Sequence, residues 1–321
     1  DLEIQIRTTA ELDGDEGSFA TTLGARKLID ILRSLPNDQL VTLTAAQNKL
    51  TLTGGKSRFT LQTLPADDFP LVNEAVDFGP AFSVPQRVLK GLINQVHFAM
   101  AVHDIRFYLN GILFVAEGKT LTLVATDGHR LALAETPAPE GAAGGPGVIV
   151  PRKTIDQVRR LLDDGSGPVE VMVSPQKIRF EFGQASLTSK VIDGAFPDYM
   201  RVIPKGNDKQ ADIDNAVFAS AVDRVATISA EKSRSVKLAF DQDRVTLTVR
   251  NMEAGQAEEE VEIGYSDEPF EIGFNARYLL DVAGQITGET AHFKFADPAS
   301  PTLVLDPGDP GVQYVLMPLR V

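Results

Sequence analysis

Asp127 and His129, within Thr126-Asp127-Gly128-His129-Arg130-Leu131-Ala132, form a pair whose types could do proton or metal chemistry. A carboxylate beside an imidazole can share a proton, and both groups can ligate a divalent cation. Either chemistry needs more: a nucleophile on a strained elbow, an HExxH pair, or further ligands at metal spacing. The four His, at positions 97, 103, 129 and 292, have no such company. An acidic metal-dependent hydrolase built on Asp127 and His129 is therefore the minor reading, and the Asp-Gly step reads first as a turn. With no Cys there is no thiolate zinc site and no disulfide framework. The Gly-rich stretch 141–147 (GAAGGPG) follows Pro137 and Pro139 and carries no Lys, so it reads as a flexible connection, not a phosphate cradle. No catalytic residue, metal or cofactor is expected.

The second group of candidate residues is basic. A helix predicted over 85–99 puts Arg87, Lys90, Asn94 and His97 on one stripe without an acid, opposite Val88, Leu89, Leu92, Ile93 and Val96. A helix predicted over 152–163 carries two basic rows, Arg152 with Arg159 and Lys153 with Arg160. Arg26, Lys27 and Arg33 do the same near the start, and Arg106 and Arg224 complete the set expected to face a polyanion. The whole chain opposes this: 31 Lys and Arg against 44 Asp and Glu give a formal charge of −13. Phosphate binding wants a basic face, not a basic total. The acids cluster elsewhere, over Glu253 to Glu262 and Glu11 to Glu16. A single basic helix face is usually only a solvated one; equivalent helices in repeated units would turn their stripes to one common surface.

The units are repeated. Ala25-Arg26-Lys27-Leu28-Ile29-Asp30 matches Pro151-Arg152-Lys153-Thr154-Ile155-Asp156, and both match Ala276-Arg277-Tyr278-Leu279-Leu280-Asp281. The arginines are 126 and 125 positions apart. Alternating strands follow each helix, over 41–44, 49–53 and 58–64, then 169–173, 177–182 and 186–192, then 291–295, 302–305 and 313–317. Asp68-Phe69-Pro70 recurs as Ala195-Phe196-Pro197. A second kind of helix, over 85–99 and 213–229, opens each complete unit. Turns are expected at Gly54-Gly55, Asn110-Gly111, Asp127-Gly128 and 241–243. The fold class expected is α+β, three repeated domains at 1–78, 79–208 and 209–321, each complete one with two helices on antiparallel sheets. Repeat arithmetic places the first unit's opening helix about forty positions before Asp1, so the N-terminal part of that unit is expected to be missing. No run approaches eighteen apolar residues and no charged-then-apolar leader is visible.

In their order, several motifs resemble the bacterial DNA polymerase III beta subunit, a sliding-clamp family. They are Thr126 to Ala132, Val148-Ile149-Val150-Pro151-Arg152-Lys153, Phe196-Pro197-Asp198-Tyr199 and the closing Tyr314-Val315-Leu316-Met317-Pro318-Leu319-Arg320. The resemblance covers essentially the whole chain. It implies three processivity-clamp domains per subunit and a head-to-tail homodimeric ring around double-stranded DNA, gripped without regard to base sequence. It further implies tethering of DNA polymerase III core, loading by an ATP-driven clamp loader, other clamp-motif partners, a cytoplasmic location and no membrane.

The resemblance also distributes roles. A partner-peptide groove would be formed by Leu109, Thr126, Gly128, His129, Arg130, Leu131, Pro197, Arg201, Val202, Asn275, Tyr278, Pro301, Val315, Leu316, Met317, Pro318, Leu319 and Arg320. On pattern alone the tail Tyr314 to Val321 reads equally as a plain edge strand. A ring contact would pair Phe59 and Leu61, flanked by Lys56 and Arg58, with Thr227 and Ile228 of the other subunit, and Glu253 and Glu258 would answer the two cations. Period-2 alternation leaves core packing open for Phe59 and Leu61. A repeat scaffold that binds only proteins is the remaining alternative.

Overall fold

The protein is described by a computed structural model over residues 2–11, 17–72, 77–142, 144–145, 147–229 and 234–320. Asp1, Val321, most of the acidic run up to Glu16, and two positions of the Gly-rich stretch lie outside these residues. The chain divides into two compact units, residues 1–74 and 75–321.

In the first unit, helix α1 (Ala25–Ser34) is followed by an antiparallel meander of Val41–Ala46, Lys49–Gly54 and Ser57–Gln62. Alternation sets the register: Leu50 lies opposite Leu61 and Leu52 opposite Phe59, so the four share one face. Leu50 and Leu52 are buried, whereas Phe59 and Leu61 are half-buried. Arg33 stands in the last turn of α1, where a cation complements the helix dipole.

The second unit repeats that plan twice. Helix α2 (Gln86–Val96) and helix α3 (Arg152–Leu161) precede the meander Pro168–Val173, Lys177–Phe182 and Ala185–Lys190. Helix α4 (Asn215–Ala226) and helix α5 (Ala276–Ala283) precede Thr290–Phe295, Thr302–Asp306 and Asp309–Leu316. Helix α2 is fixed by Leu89, Leu92, Ile93 and Val96, all buried; each contributes about 1.5–3 kcal/mol relative to exposure. Asp214 caps α4, accepting from the Val217 amide at 2.9 Å.

The two repeats share an eight-stranded antiparallel sheet. Its central seam pairs Asp309–Leu316 with Arg130–Pro137, Val315 opposite Leu131 and Leu316 opposite Arg130. Val124, Leu131, Leu133 and Val315 form a buried cluster at this seam, with Phe196, Tyr199 and Ile203 packed against it. The seam thus fixes where the C-terminal segment begins.

Three local expectations are corrected. The α2 helix ends at Val96, and His97–Ala99 is a 3-10 turn. His97 leaves the helical stripe there, with its Nδ1 3.0 Å from the Asn94 carbonyl oxygen. Asn110-Gly111 is not a hairpin turn: Asn110 bridges the backbone of Asp104, and Gly111 opens a strand where a Cβ would meet the Val150 carbonyl at 2.4 Å. The last strand stops at Leu316, after which the tail is held by two backbone hydrogen bonds, Met317 to His129 and Leu319 to Gly273.

Candidate functional site

Beside the seam lies an apolar cavity of about 450 Å³, lined by Leu109, Thr126, Gly128, Arg130, Leu131, Pro197, Arg201, Val202, Pro301, Val315 and Met317, with Arg106, Tyr108 and Tyr199. One turn shapes it. Asp127 Oδ1 accepts from the amides of His129 (2.9 Å) and Arg130 (3.1 Å), and Thr126 Oγ1 accepts from the Gly128 amide and donates to the Arg130 carbonyl at 2.7 Å. Gly128 stands at φ +87°, a conformation glycine takes without strain. The Met317 amide then donates to the His129 carbonyl at 2.9 Å, and the Leu319 amide to Gly273 at 2.8 Å, so the tail closes one side.

Arg130 is the buried charge in the wall. Its Nε donates to Asp127 Oδ2 at 3.1 Å, Nη2 to the Phe98 carbonyl at 2.7 Å, and Nη1 to Asp281. The guanidinium lies 4.3 Å from the Tyr278 ring centre and 5.1 Å from that of Phe98. Burial pushes the Tyr278 and Tyr199 hydroxyls up from their ordinary values.

The remaining expected groove residues are not among those that line this cavity. His129 stacks on Tyr278 with ring centres 6.4 Å apart. Asn275 caps α5, Leu316 is buried, Pro318 and Leu319 are half-buried, and Arg320 is exposed. Tyr108 and Tyr199 were missed, although Tyr199 closes the Phe-Pro-Asp-Tyr motif that signals Pro197. Arg106, expected to face a polyanion, stands instead at this groove. Its Nη2 donates to Asp104 (2.7 Å) and to the Asp127 carbonyl (3.1 Å), and this hydrogen bonding holds the Asp104 carboxyl down at about 2.

These contacts give the hydrolase reading no support. Both Asp127 oxygens are spent on its own turn and on Arg130, the His129 ring stacks on Tyr278, and no group of three or more metal-ligating side chains occurs among the described residues.

Helices α2 and α3 carry six cations against one carboxylate, Asp156. They are joined by Arg159 Nε donating to Asn94 Oδ1 at 2.8 Å. Arg87, Lys153 and Arg160 are exposed, and Lys90 pairs with the exposed Asp164 at 2.7 Å. Arg152 is turned inward, giving Nη2 to the Met100 carbonyl (2.8 Å) and Nε to that of Ala101 (3.3 Å). The equivalent pair α4 and α5 does not repeat the charge: Arg224 and Arg277 face Asp223 and Asp281, and Arg224 forms a two-pronged pair with Glu259. Arg26, Lys27 and Arg33 are exposed on α1.

Among the expected ring-contact residues, Lys56 and Arg58 are exposed in the first unit. In the second, Thr227, Glu253 and Glu258 are exposed and Ile228 is half-buried, its carbonyl accepting from Asn251 at 3.0 Å.

Comparison with known proteins assigns the whole chain. The family described as DNA polymerase III beta subunit matches in three parts: the N-terminal domain over residues 1–73, the central domain over 83–198 and the C-terminal domain over 200–320. The beta sliding clamp of Caulobacter vibrioides is 61% identical over 306 residues, 94% of this chain and 82% of that one. A crystal structure of the C. crescentus beta sliding clamp matches with a TM-score of 0.93 at 57% identity, over 100% of this chain and 87% of the other. A sliding clamp from Bartonella birtlesii bound to griselimycin matches with a TM-score of 0.95 at 41% identity, again over 100% and 87%.

Proposed function

Because this chain belongs to the DNA polymerase III beta subunit family, the bacterial sliding clamps, we propose that it acts by binding and not by catalysis, as half of a head-to-tail homodimeric ring. The chain is a DNA sliding clamp, a processivity factor that encircles duplex DNA and tethers the replicative polymerase. The observation that carries the DNA-facing part is the charge of α2 and α3, six cations against one carboxylate on a chain of net charge −13. Arg87, Lys90, Lys153, Arg159 and Arg160 would meet phosphates, with Arg26, Lys27 and Arg33 of α1 in the same role. Contacts to phosphate carry no sequence information, which suits a protein that must slide. A bidentate base contact, at about 1–3 kcal/mol, would be a brake. A scaffold for proteins alone would have no use for this concentration of charge.

The cavity beside the seam is the docking site for polymerase, clamp loader and other clamp-motif partners; griselimycin, bound by the Bartonella birtlesii clamp, is proposed as a small ligand for the same cavity. Apolar anchors would enter against Leu131, Val202 and Val315, with Arg130 holding polar groups at the wall. The ring contact pairs Phe59 and Leu61 with Thr227 and Ile228 of a second copy, and Lys56 and Arg58 with Glu253 and Glu258. The domains divide at 78 and 208. The protein works in the cytoplasm; no helix of the described residues is long and apolar enough to cross a membrane.

The test is loading. Incubation with clamp loader, ATP and nicked circular duplex, followed by gel filtration, should place the protein with the DNA peak whatever the base sequence of the circle. Retention that tracks one sequence, or that is equal without loader and ATP, would count against it.

A further inference from the structure

Arg130 lines the groove, yet one of the groups that fix it belongs to a different surface. Asp281, on α5, borders a separate cavity of about 420 Å³ between α4 and α5, together with Asp223, Thr227 and Arg277. From there its Oδ2 accepts from Arg130 Nη1. We infer that Asp281 is a positioning residue of the partner groove, acting through Arg130, an inference that rests on reading that groove as the docking site.

The need for it follows from burial. The Arg130 side chain is only 8% exposed, and a guanidinium this deep must have its donors matched by acceptors. Asp127 supplies one carboxylate, but its other oxygen is committed to the amides of His129 and Arg130. Phe98 supplies a neutral carbonyl. Asp281 is the second carboxylate and comes from outside the turn that shapes the groove. Neutralising it leaves the buried cation with one anionic partner. The guanidinium then shifts off Tyr278, whose ring also supports His129, and the wall loses its shape. Arg277 stands on the same helix with Nε 3.8 Å from the same Asp281 oxygen. It competes weakly with Arg130, so the two arginines have opposite effects on the groove.

The experiment measures fluorescein-labelled griselimycin by anisotropy against the full chain and four variants: D281N, R277Q, R130Q and R130Q/D281N, each with a thermal melt. D281N should weaken binding about tenfold, the order by which an outer hydrogen-bonding partner acts on the residue it orients, a larger loss than any fall in the melting temperature accounts for. R277Q should bind as well as the parent or more tightly. The double variant should bind no more weakly than R130Q alone, because the inference has Asp281 acting on the groove through Arg130. D281N at parental affinity overturns the inference. So does a double variant whose loss is the product of the two single losses, or a D281N loss that only follows a lowered melt. Failure of the parent itself to bind is a different result: it removes the groove reading and this inference with it.

Discussion

Arg159 of α3 and Asn94 of α2 are joined side chain to side chain at 2.8 Å, which locks together the two helices that hold most of the clustered cations. The contact uses only the Nε hydrogen, so the rest of the guanidinium can still meet a phosphate. Arg152, seven residues earlier on the same helix, has instead given two donors to backbone carbonyls.

The two arginines therefore predict different variants. Replacing Arg159 and Arg160 with Ala should reduce the slope of log affinity against log salt by about 2, since each lost phosphate contact accounts for about 0.9. Titration of duplex DNA across salt concentrations reads this directly. Arg152→Ala should chiefly lower the melting temperature, because it strands the Met100 and Ala101 carbonyls. A slope unchanged in the first variant would take DNA off this surface.

His97 should make the helix pair sensitive to pH. Burial lowers its pKa below the ordinary value, the Asn94 carbonyl opposes this, and Arg159 and Arg152 reinforce it against Asp156. A depressed pKa means the fold prefers the neutral ring. Its contribution to stability is present above the unfolded value of about 6.5 and is lost as pH falls from there through the folded value. The melting temperature should fall as the pH drops below about 6.5, and His97→Gln should flatten part of that fall. A profile identical in the variant would contradict this.

A side chain at Gly128 should be unfavourable. At φ +87° an added Cβ would lie 2.8 Å from Arg106 Nη1, and Arg106 is tied to Asp104. Gly128→Ala should cost about 1–2 kcal/mol from backbone handedness alone and weaken groove binding, while leaving the DNA salt slope unchanged. Calorimetry with griselimycin and the salt titration together check both halves.

The tail and the ring contact should separate. Removing residues 317–321 takes away the Met317 to His129 and Leu319 to Gly273 bonds; a partner peptide bound at about micromolar Kd, roughly −8 kcal/mol, should then no longer bind, while the dimer survives. Ile228→Asp should do the reverse, since an unpaired charge at a closed interface is strongly unfavourable. Light scattering that still finds a dimer for Ile228→Asp would misplace the interface.

Much of this was legible in the sequence because repetition and alternation are periodic signals. The helix starts at Ala25, Arg152 and Ala276 and the three meanders follow from them within a few residues. What escaped depends on contacts between distant residues. Arg106 reads as one more cation, and only Asp104 and the Asp127 carbonyl reveal that it belongs to the groove. Arg224 likewise reads as basic until Glu259 neutralises it across the helix–strand packing. The pseudo-symmetric charge expected of every helix pair fails at α4 and α5, where the repeat preserves backbone plan but not side-chain charge. Tyr108 and Tyr199 line the groove through a 3-10 turn each, and short turns have no period to read.

The protein holds DNA topologically, by surrounding it. The direct measurement loads the clamp onto a nicked circular duplex, then cuts the circle once with a restriction enzyme and follows the bound fraction over time. Retention should be long on the intact circle and collapse after cutting, as the ring runs off the free ends. Equal retention on circular and linear DNA would contradict encirclement and leave only ordinary surface binding.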